Sequence, residues 1–293
     1  MTVRPIGSLD WADLGRASIA GTRAYALTAR ASGRTYLIEV ARPAAPPAPG
    51  QALPVVYVLD GNGAFGLATQ TARMLQMQAD GLPPLLVVGV GYRFDPAGDA
   101  GVQHGARRSL DFSPSVDAHS LERTKAAFAA LGDTTAVEHG GADAFLAFIE
   151  EDLKPFIASR YAVDPADQTL AGLSLGGLFA LHALFTAPTA FRRTIAVSPA
   201  LWWDNGVIFR EEAALAHRAG DLAVDLFLGV GGLEEEDGAP YWPVSNLARM
   251  DAALRSRPYP GLRLTHHVFA DETHMSVFPG ALSRGLRAVF GSA

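Results

Sequence analysis

Residues 168–185 of the chain read QTLAGLSLGGLFALHALF, and this stretch decides which fold the sequence can adopt. An apolar run leads into the motif GLSLG at residues 172–176, and small and apolar residues with helical character follow. That order is typical of a nucleophile elbow, a sharp strand-to-helix turn in which residues two positions before and after the serine collide unless both are glycine. The stretch predicts that Ser174 is a nucleophile. The alternative is a serine in an ordinary strand-to-helix turn.

The composition of the 293 residues narrows the class of protein. Hydrophobic residues make up 49% of the chain, which suits one large α/β domain spanning residues 1–293. The net charge of −6 argues against a nucleic-acid partner, because binding to phosphates usually needs a basic surface. Since the chain contains no cysteine, it has no disulfide, no thiol nucleophile and no cysteine-ligated metal. We therefore expect a small-molecule partner.

The sequence predicts neither a membrane segment nor a secretion signal. It contains no run of eighteen apolar residues, the length that a membrane-spanning helix needs. Its first residues, MTVRPIGSLDWADLG, carry acidic and polar side chains where a signal peptide has a continuous apolar stretch. These features predict a cytoplasmic protein without a membrane partner.

The sequence also predicts no cofactor and no metal. The glycines at residues 88–91 and 229–232 lack the G-x-G-x-x-G spacing of a dinucleotide site and the helix that should follow it. No histidine and carboxylate have the spacing of metal ligands on a helix.

The hydrophobic pattern predicts a mostly parallel α/β sheet. Alternating residues at 22–30 and 34–42 flank Ala31-Ser32-Gly33, which indicates an antiparallel hairpin at the edge of the sheet. Continuous apolar runs, typical of parallel strands buried on both faces, follow at 55–59, 85–90, 169–171, 194–197, 224–228 and 262–269. Most are separated by segments with helical spacing, so helices should cover both faces. Residues 94–141 break this rhythm and predict an irregular cover over the site, followed by a helix at 142–160.

A serine hydroxyl needs a base, and His274 is the best candidate among eight histidines. In a hydrolase of this topology the order along the chain is Ser, acid, His, with the histidine after the last strand. His274 meets both conditions. By contrast, His266 and His267 lie within the last strand, and His182 lies on the helix behind the elbow, from which its ring cannot turn back.

The acid that orients the histidine should follow the predicted strand at 224–228. There the chain reads GVGGLEEED, with four consecutive carboxylates at Glu234, Glu235, Glu236 and Asp237. Runs of acids are most often solvated loops, so at least three of the four should have no catalytic role. Glu234 is our choice because it is nearest to the strand end. The alternatives are one of its three neighbours or no functional acid.

An ester hydrolase also needs N–H donors directed at the oxyanion. The predicted strand at 55–59 runs into Asp60-Gly61-Asn62-Gly63, where glycine lets the backbone approach a ligand closely. We assign the oxyanion hole to the N–H of Leu175 and an N–H of Gly61 or Asn62. The alternative for Asp60-Gly61-Asn62-Gly63 is a plain tight turn without a catalytic role.

Two further segments are candidates for substrate binding. Trp202 and Trp203 follow the strand after the elbow, at the same sheet edge as Ser174, and paired aromatic rings suit a flat or apolar ligand. Core packing is the alternative for one of the two. In the predicted cover, Arg107 and Arg108 could bind an anionic group or anchor the loop to Asp111.

The sequence resembles the bacterial siderophore esterases that open trilactone siderophores, within the putative-esterase branch of the α/β-hydrolases. The resemblance covers most of the chain from residue 54 onward. It rests on the segments VVYVLDGNGAF, VVGVGY, RRSLDFSP, GGADAFLAFIEEDLKPFI, AGLSLGGLFALHALF, SPALWWDN and ETHMS, in family order. It implies an α/β-hydrolase fold, no metal, and hydrolysis through an acyl-enzyme on Ser174 with His274 as base. The acid varies in this family, so a Ser-His dyad is also open.

Three functions compete at this point. The first is a serine esterase for the lactone bonds of a siderophore, whose partner would be a small-molecule ester such as a ferric siderophore. The second is an esterase for small carboxylic esters, thioesters or acetylated sugars, because one scaffold serves several esters. The third is a catalytically silent binding protein with the hydrolase fold.

Overall fold

The computed structural model describes residues 18–78, 81–218, 220–235 and 241–291, and eight strands in these residues form one sheet. They are β1 (Thr22–Thr28), β2 (Thr35–Ala41), β3 (Leu53–Val58), β4 (Leu86–Tyr92), β5 (Val163–Leu173), β6 (Arg193–Val197), β7 (Asp225–Gly231) and β8 (Arg263–Phe269). The strand order is β1-β2-β4-β3-β5-β6-β7-β8. β1 pairs with β2, and β2 with β4, in the antiparallel sense; the remaining neighbours are parallel. The predicted mostly parallel sheet with an N-terminal antiparallel hairpin is confirmed.

Helices cover both faces of the sheet. They are α1 (Gly61–Gln76), α2 (Ala100–Phe112), α3 (Ala118–Ala130), α4 (Ala142–Phe148), α5 (Lys154–Ala158), α6 (Leu175–Thr186), α7 (Trp203–Arg218), α8 (Pro243–Arg255) and α9 (Val277–Phe290). Successive side chains of β3 point to opposite faces of the sheet, as in any β-strand. Val56 packs in the core formed with α1 and α9, whereas Tyr57 packs with Phe145 of α4 and Phe179 of α6.

The prediction that residues 94–141 are irregular is wrong. This segment contains α2 and α3, and each begins at an aspartate N-cap. The carboxylate of Asp99 accepts the N–H of Val102 at 2.9 Å, and that of Asp117 accepts the N–H of Ser120 at 2.6 Å. These caps satisfy N–H groups that a helix leaves free at its start, so they stabilise helices in a segment rich in Gly, Pro and Asp.

The helix predicted at 142–160 is present in three parts. A π turn (Ile149–Leu153) joins α4 to α5, whose second residue is Pro155. Proline has no N–H and its ring crowds the preceding turn, which favours a local change in helical pitch. None of the helices in the part of the chain that the structure describes combines the length and the apolar character needed to cross a membrane.

Candidate active site

The turn between β5 and α6 has the geometry of a nucleophile elbow. Ser174 adopts φ 61° and ψ −119°, a conformation that side chains rarely tolerate. Its backbone is held from both sides, since its N–H donates to the carbonyl of Val197 at 2.9 Å and its carbonyl accepts from Ala200 at 3.1 Å. A Cβ on Gly172 would lie 2.4 Å from the backbone of Gly176, so position 172 requires glycine, whereas a Cβ on Gly176 would make an ordinary contact at 3.5 Å, contrary to the expectation that both must be glycine. The elbow thus presents Ser174 at the carboxyl edge of the sheet.

His274 and Glu234 meet at this edge although 40 positions separate them. His274 lies in the loop between β8 and α9, and Glu234 ends a short 3-10 turn directly after β7. The distance from His274 Nδ1 to Glu234 Oε2 is 2.7 Å. The side chain of Glu234 is buried, whereas that of His274 is 43% exposed, which leaves the histidine accessible from solvent.

Of the other acids in the run, Glu235 points elsewhere: its carboxylate accepts the N–H of Ser245 at 2.8 Å. Glu236 and Asp237 lie outside the described residues. Among the described carboxylates of this run, Glu234 is therefore the one that contacts His274.

Two further donors hold the Glu234 carboxylate. The hydroxyl of Ser198 donates to Oε1 at 2.5 Å, and the N–H of Gly231 donates to the same oxygen at 2.8 Å. Burial would raise the pKa of Glu234, but the hydrogen bonds from His274, Ser198 and Gly231 outweigh burial and lower the pKa. Glu234 is therefore held as an anion that can stabilise a protonated imidazole. The sequence analysis assigns no role to Ser198. The signal for one is its position directly after β6, the strand between β5 and β7, which lead to Ser174 and Glu234.

Ser174 and His274 line one cavity of about 460 Å³. Most of its wall is apolar and comes from α1, the end of β5 and the start of α9. The lining residues are Leu59, Asp60, Gly63, Ala64, Leu67, His104, Arg108, Leu173, Ser174, His274, Met275, Phe278 and Pro279. Polar side chains are few and concentrated beside the serine, an arrangement typical of pockets that bind small molecules.

Asp60, His104 and Arg108 form a hydrogen-bonded cluster in the wall of this cavity. The guanidinium of Arg108 donates two hydrogen bonds to the carboxylate of Asp60, both at 3.0 Å, and His104 Nε2 lies 3.1 Å from Asp60 Oδ1. Burial would raise the pKa of Asp60, but the charge of Arg108 and the hydrogen bonds from His104 and Arg108 lower it to about 2. Arg108 is thus anchored to Asp60. The loop anchor considered from the sequence, Asp111, lies 3.5 Å from Arg34 instead.

The turn after β3 packs closely against β4, so contact with the sheet, and not the expected approach of a ligand, accounts for glycine at position 61. A Cβ on Gly61 would lie 2.8 Å from the backbone N of Val90. The side-chain amide of Asn62 bonds both backbone groups of Tyr92, donating to its carbonyl at 2.9 Å and accepting its N–H at 2.7 Å. The side chain of Asn62 therefore fixes the turn to the end of β4.

Leu175, Gly61 and Asn62 occupy the first positions of two helices. Leu175 begins α6, and Gly61 and Asn62 begin α1. The first N–H groups of a helix have no acceptor within that helix, so each turn offers donors at the same sheet edge.

Three of the predicted substrate contacts lie away from this cavity. Trp203 is 2% exposed, and its indole N–H donates to the carbonyl of Ser115 at 3.0 Å, so it packs in the core and anchors the segment between α2 and α3. Trp202 is half-buried and stacks on Tyr241 with ring centroids 4.2 Å apart. Arg107 donates to the carbonyl of Thr35 at 3.3 Å, because its position on α2 faces β2. Arg108 is the member of this set that lines the cavity.

The sheet order and the elbow define the class of protein to which the chain belongs, the α/β-hydrolases. Within that class, a family model described as putative esterase matches residues 30–275. The chain belongs to the putative esterase family, and it is an ester hydrolase.

Two siderophore esterases align with most of the chain. It is 33% identical to ferri-bacillibactin esterase BesA of Bacillus subtilis over 275 residues, which cover 92% of this chain and 90% of that protein. It is 30% identical to siderophore triacetylfusarinine C esterase of Aspergillus fumigatus over 262 residues, which cover 81% and 82% respectively.

Solved structures share the fold over nearly the whole chain. The BES protein from Bacillus cereus gives a TM-score of 0.80 at 31% identity, covering 97% of this chain and 100% of that chain. Siderophore hydrolase EstB from Aspergillus nidulans gives a TM-score of 0.79 at 28% identity, covering 95% and 98%.

Proposed function

We propose that the protein hydrolyses ester bonds of a siderophore, with Ser174 as nucleophile, His274 as base and Glu234 as the acid that orients the histidine. The chain would act as a single α/β-hydrolase domain. The observation that carries this proposal is the 2.7 Å contact of Glu234 Oε2 with Nδ1 of His274, which lines the same cavity as Ser174. A carboxylate on Nδ1 selects the tautomer whose Nε2 is free to accept a proton from a serine.

In the proposed reaction, His274 Nε2 takes the hydroxyl proton of Ser174 while the serine oxygen bonds to the ester carbonyl carbon. The N–H of Leu175 and an N–H of Gly61 or Asn62 stabilise the negative oxygen that develops. The carbon–oxygen bond to the alcohol then breaks, and the alcohol oxygen receives the proton from His274. A water then gives a proton to His274 while its oxygen bonds to the acyl carbon. The bond from that carbon to Ser174 breaks, the serine oxygen takes the proton back from His274, and the carboxylic acid is released. Throughout, Glu234 stays ionised and stabilises the imidazolium.

The substrate class is supported by the relatives, which are named as esterases of ferri-bacillibactin and of triacetylfusarinine C. The apolar wall of the cavity suits the body of a bulky ester better than a small polar one. The half-buried Trp202, stacked on Tyr241 at the same sheet edge, offers an aromatic surface for parts of the substrate that extend beyond the cavity.

Labelling with a fluorophosphonate tests the nucleophile. We expect one label per chain, mapped to Ser174 by mass spectrometry, and a loss of about 10³-fold or more in ester turnover for Ser174→Ala. Ser245→Ala is a matched control, because Ser245 lies on α8 and contacts Glu235 rather than His274; it should label and turn over normally. Full turnover by purified Ser174→Ala would refute the proposal.

A substrate panel tests the class of ester. The panel contains a ferric trilactone siderophore, its iron-free form, a ferric hydroxamate ester and short aryl esters. We expect kcat/KM to be highest for one of the siderophore esters. A clear preference for the short aryl esters would instead identify a general carboxylic esterase.

A further inference from the structure

Asp60 is an aspartate at the N-cap of α1 that does not cap its helix. An N-cap aspartate ordinarily accepts the N–H of the second or third helical residue. Asp60 makes no such bond; its backbone adopts φ 53° and ψ 41°, and its carboxylate turns towards Arg108 and His104. Left-handed geometry at a residue other than glycine costs free energy and persists where the surroundings hold it in place.

The consequence of this geometry concerns the free N–H groups at the start of α1. The carbonyl of Asp60 accepts the N–H groups of Gly63 and Ala64, both at 3.0 Å. The carboxylate that would compete for the N–H of Asn62 is bound to Arg108 instead. The N–H of Asn62 is thereby left for a ligand, and it joins the N–H of Gly61, which as the first helical residue is not one that a cap side chain binds.

The same contacts join the turn after β3 to the elbow. Arg108 Nη2 donates to Asp60 Oδ2 at 3.0 Å and reaches the carbonyl of Leu173, the residue before the nucleophile, at 3.5 Å. A Cβ on Gly176 would lie 3.5 Å from Asp60 Oδ2, so the carboxylate sits directly over the first turn of α6. Arg108 itself packs over the ring of Phe112, with its guanidinium carbon 5.6 Å from the ring centroid.

We infer that Asp60 is a positioning residue for the oxyanion hole: held by Arg108, it fixes the turn at Gly61 and Asn62 against the elbow at Leu175, so that donors from both turns converge on one oxygen. The inference rests on the proposed function, and it assigns Asp60 no contact with the reacting atoms. Misplacement of such donors by about 1 Å is enough to cost on the order of 100-fold in rate.

Steady-state kinetics of Asp60→Asn and Arg108→Gln, with p-nitrophenyl butyrate as substrate, test the inference. Because the donors act on the transition state, we expect kcat to fall about ten-fold or more while KM changes by less than about three-fold. The rate of fluorophosphonate labelling of Ser174 should fall in parallel, since the phosphoryl oxygen occupies the same hole. The double variant should be no slower than the slower single variant, because the two residues act as one unit.

Glu212→Gln is a matched control for general loss of stability. Glu212 is 2% exposed and accepts two hydrogen bonds from Arg257, both at 2.8 Å, but neither residue lines the cavity with Ser174. Like Asp60→Asn, this variant removes the charge of a carboxylate that accepts two hydrogen bonds from an arginine. It should lower the melting temperature and leave kcat within about two-fold. An equal loss of kcat in Glu212→Gln would overturn the inference.

Three other results would also overturn it: kcat of folded Asp60→Asn within about two-fold of the unchanged enzyme, additive losses in the double variant, or a rise in kcat. A rise would mean that the negative charge of Asp60 opposes the oxyanion. If Asp60→Asn does not fold, Arg108→Lys serves instead, because lysine keeps the charge but cannot make the two-pronged contact; kcat should still fall. The proposed function fails separately, through an unlabelled Ser174 in the unchanged enzyme.

Discussion

The hydroxyl of Ser198 and the carboxylate of Glu234 are joined by a buried hydrogen bond of 2.5 Å, and the other oxygen of that carboxylate faces His274. Ser198 directly follows β6 and Glu234 follows β7, so the bond links two neighbouring strand ends. An acid that receives support from a second side chain keeps its orientation when the histidine moves or changes its protonation state.

The first prediction tests whether Glu234 or Glu235 is the acid that orients His274. Glu234→Gln keeps the shape of the side chain but removes the anion that selects the histidine tautomer, so kcat should fall about 10²- to 10⁴-fold. Glu235→Gln should leave kcat nearly unchanged, because that carboxylate contacts Ser245. Steady-state hydrolysis of an aryl ester by both variants, with circular dichroism as a check of folding, makes the comparison. The reverse ranking would show that the wrong acid was chosen.

The second prediction concerns Ser198 and pH. Since the hydrogen bond from Ser198 favours the charged form of Glu234, Ser198→Ala should raise the pKa of that carboxyl. A carboxyl whose folded pKa is lowered stabilises the protein above its unfolded pKa, about 4.3, and this contribution is lost as pH falls through the folded pKa. The free energy of unfolding should therefore decrease less between about pH 7 and pH 3 in Ser198→Ala than in the unchanged protein.

Urea denaturation at several pH values measures this difference directly. The variant should also be less stable at neutral pH, by about 1–3 kcal/mol, because a buried carboxylate loses a donor. Parallel stability curves over the acid range would contradict the assigned role of the Ser198 hydroxyl.

The third prediction tests the packing of the elbow. Gly172→Ala places a methyl group 2.4 Å from the backbone of Gly176, a contact that only movement of the turn can relieve. We expect a loss of stability of about 1–3 kcal/mol or more and a displaced nucleophile, hence a large loss of fluorophosphonate labelling. Gly220→Ala is the control, because a Cβ there meets nothing within 4 Å. Normal labelling of Gly172→Ala would mean that the elbow tolerates a side chain at this position.

The fourth prediction concerns the buried His182, which lies on α6 away from the cavity. Its ring contacts Glu211 at 3.0 Å and Asp143 at 3.1 Å. Burial would lower the pKa of His182, but hydrogen bonds and charges from Glu211 and Asp143 raise it. A histidine with a raised folded pKa stabilises the protein fully below its unfolded pKa, about 6.5, and this contribution is lost as pH rises through the folded pKa.

His182→Gln should therefore reduce stability most at about pH 6 and least at about pH 9, with kcat nearly unchanged at neutral pH. Thermal unfolding across this range, together with aryl ester turnover, gives both readouts. A variant that loses turnover while remaining folded would place His182 in the reaction.

Local pattern was sufficient for the sheet. Parallel strands such as β3 and β7 are buried on both faces, so their sequences are continuous apolar runs. Such runs can be recognised without knowing which strands lie next to each other. The elbow can also be recognised locally, from two glycines and a serine between a strand and a helix. His274 and Glu234 can be recognised from their positions after successive strands along the chain. These residues were predicted as neighbours, and the structure brings His274 and Glu234 into contact.

The hydrophobic pattern and the motifs do not predict which side chains from distant segments come into contact. The pairing of Asp60 with Arg108 spans 48 positions, and the arginine had a nearer candidate partner in Asp111. In residues 94–141 the content of Gly, Pro and Asp favours a loop, whereas Asp99 and Asp117 cap helices in the structure. Trp203 was placed in the site because of its strand end, but its side chain turns into the core. Strand ends predict where a residue lies, and packing decides which way it points.

The contact between Arg108 and Asp60 also limits how this scaffold can be redesigned. The two helices α2 and α3 are inserted between sheet strands, and such an insertion is the natural segment to exchange between homologues when a new substrate range is wanted. Here the inserted segment carries the arginine that holds a turn beside the nucleophile. A chimaera that takes these helices from a homologue must therefore also carry a residue that binds Asp60. Without one, the exchange would change the wall of the cavity and also lower the rate of catalysis.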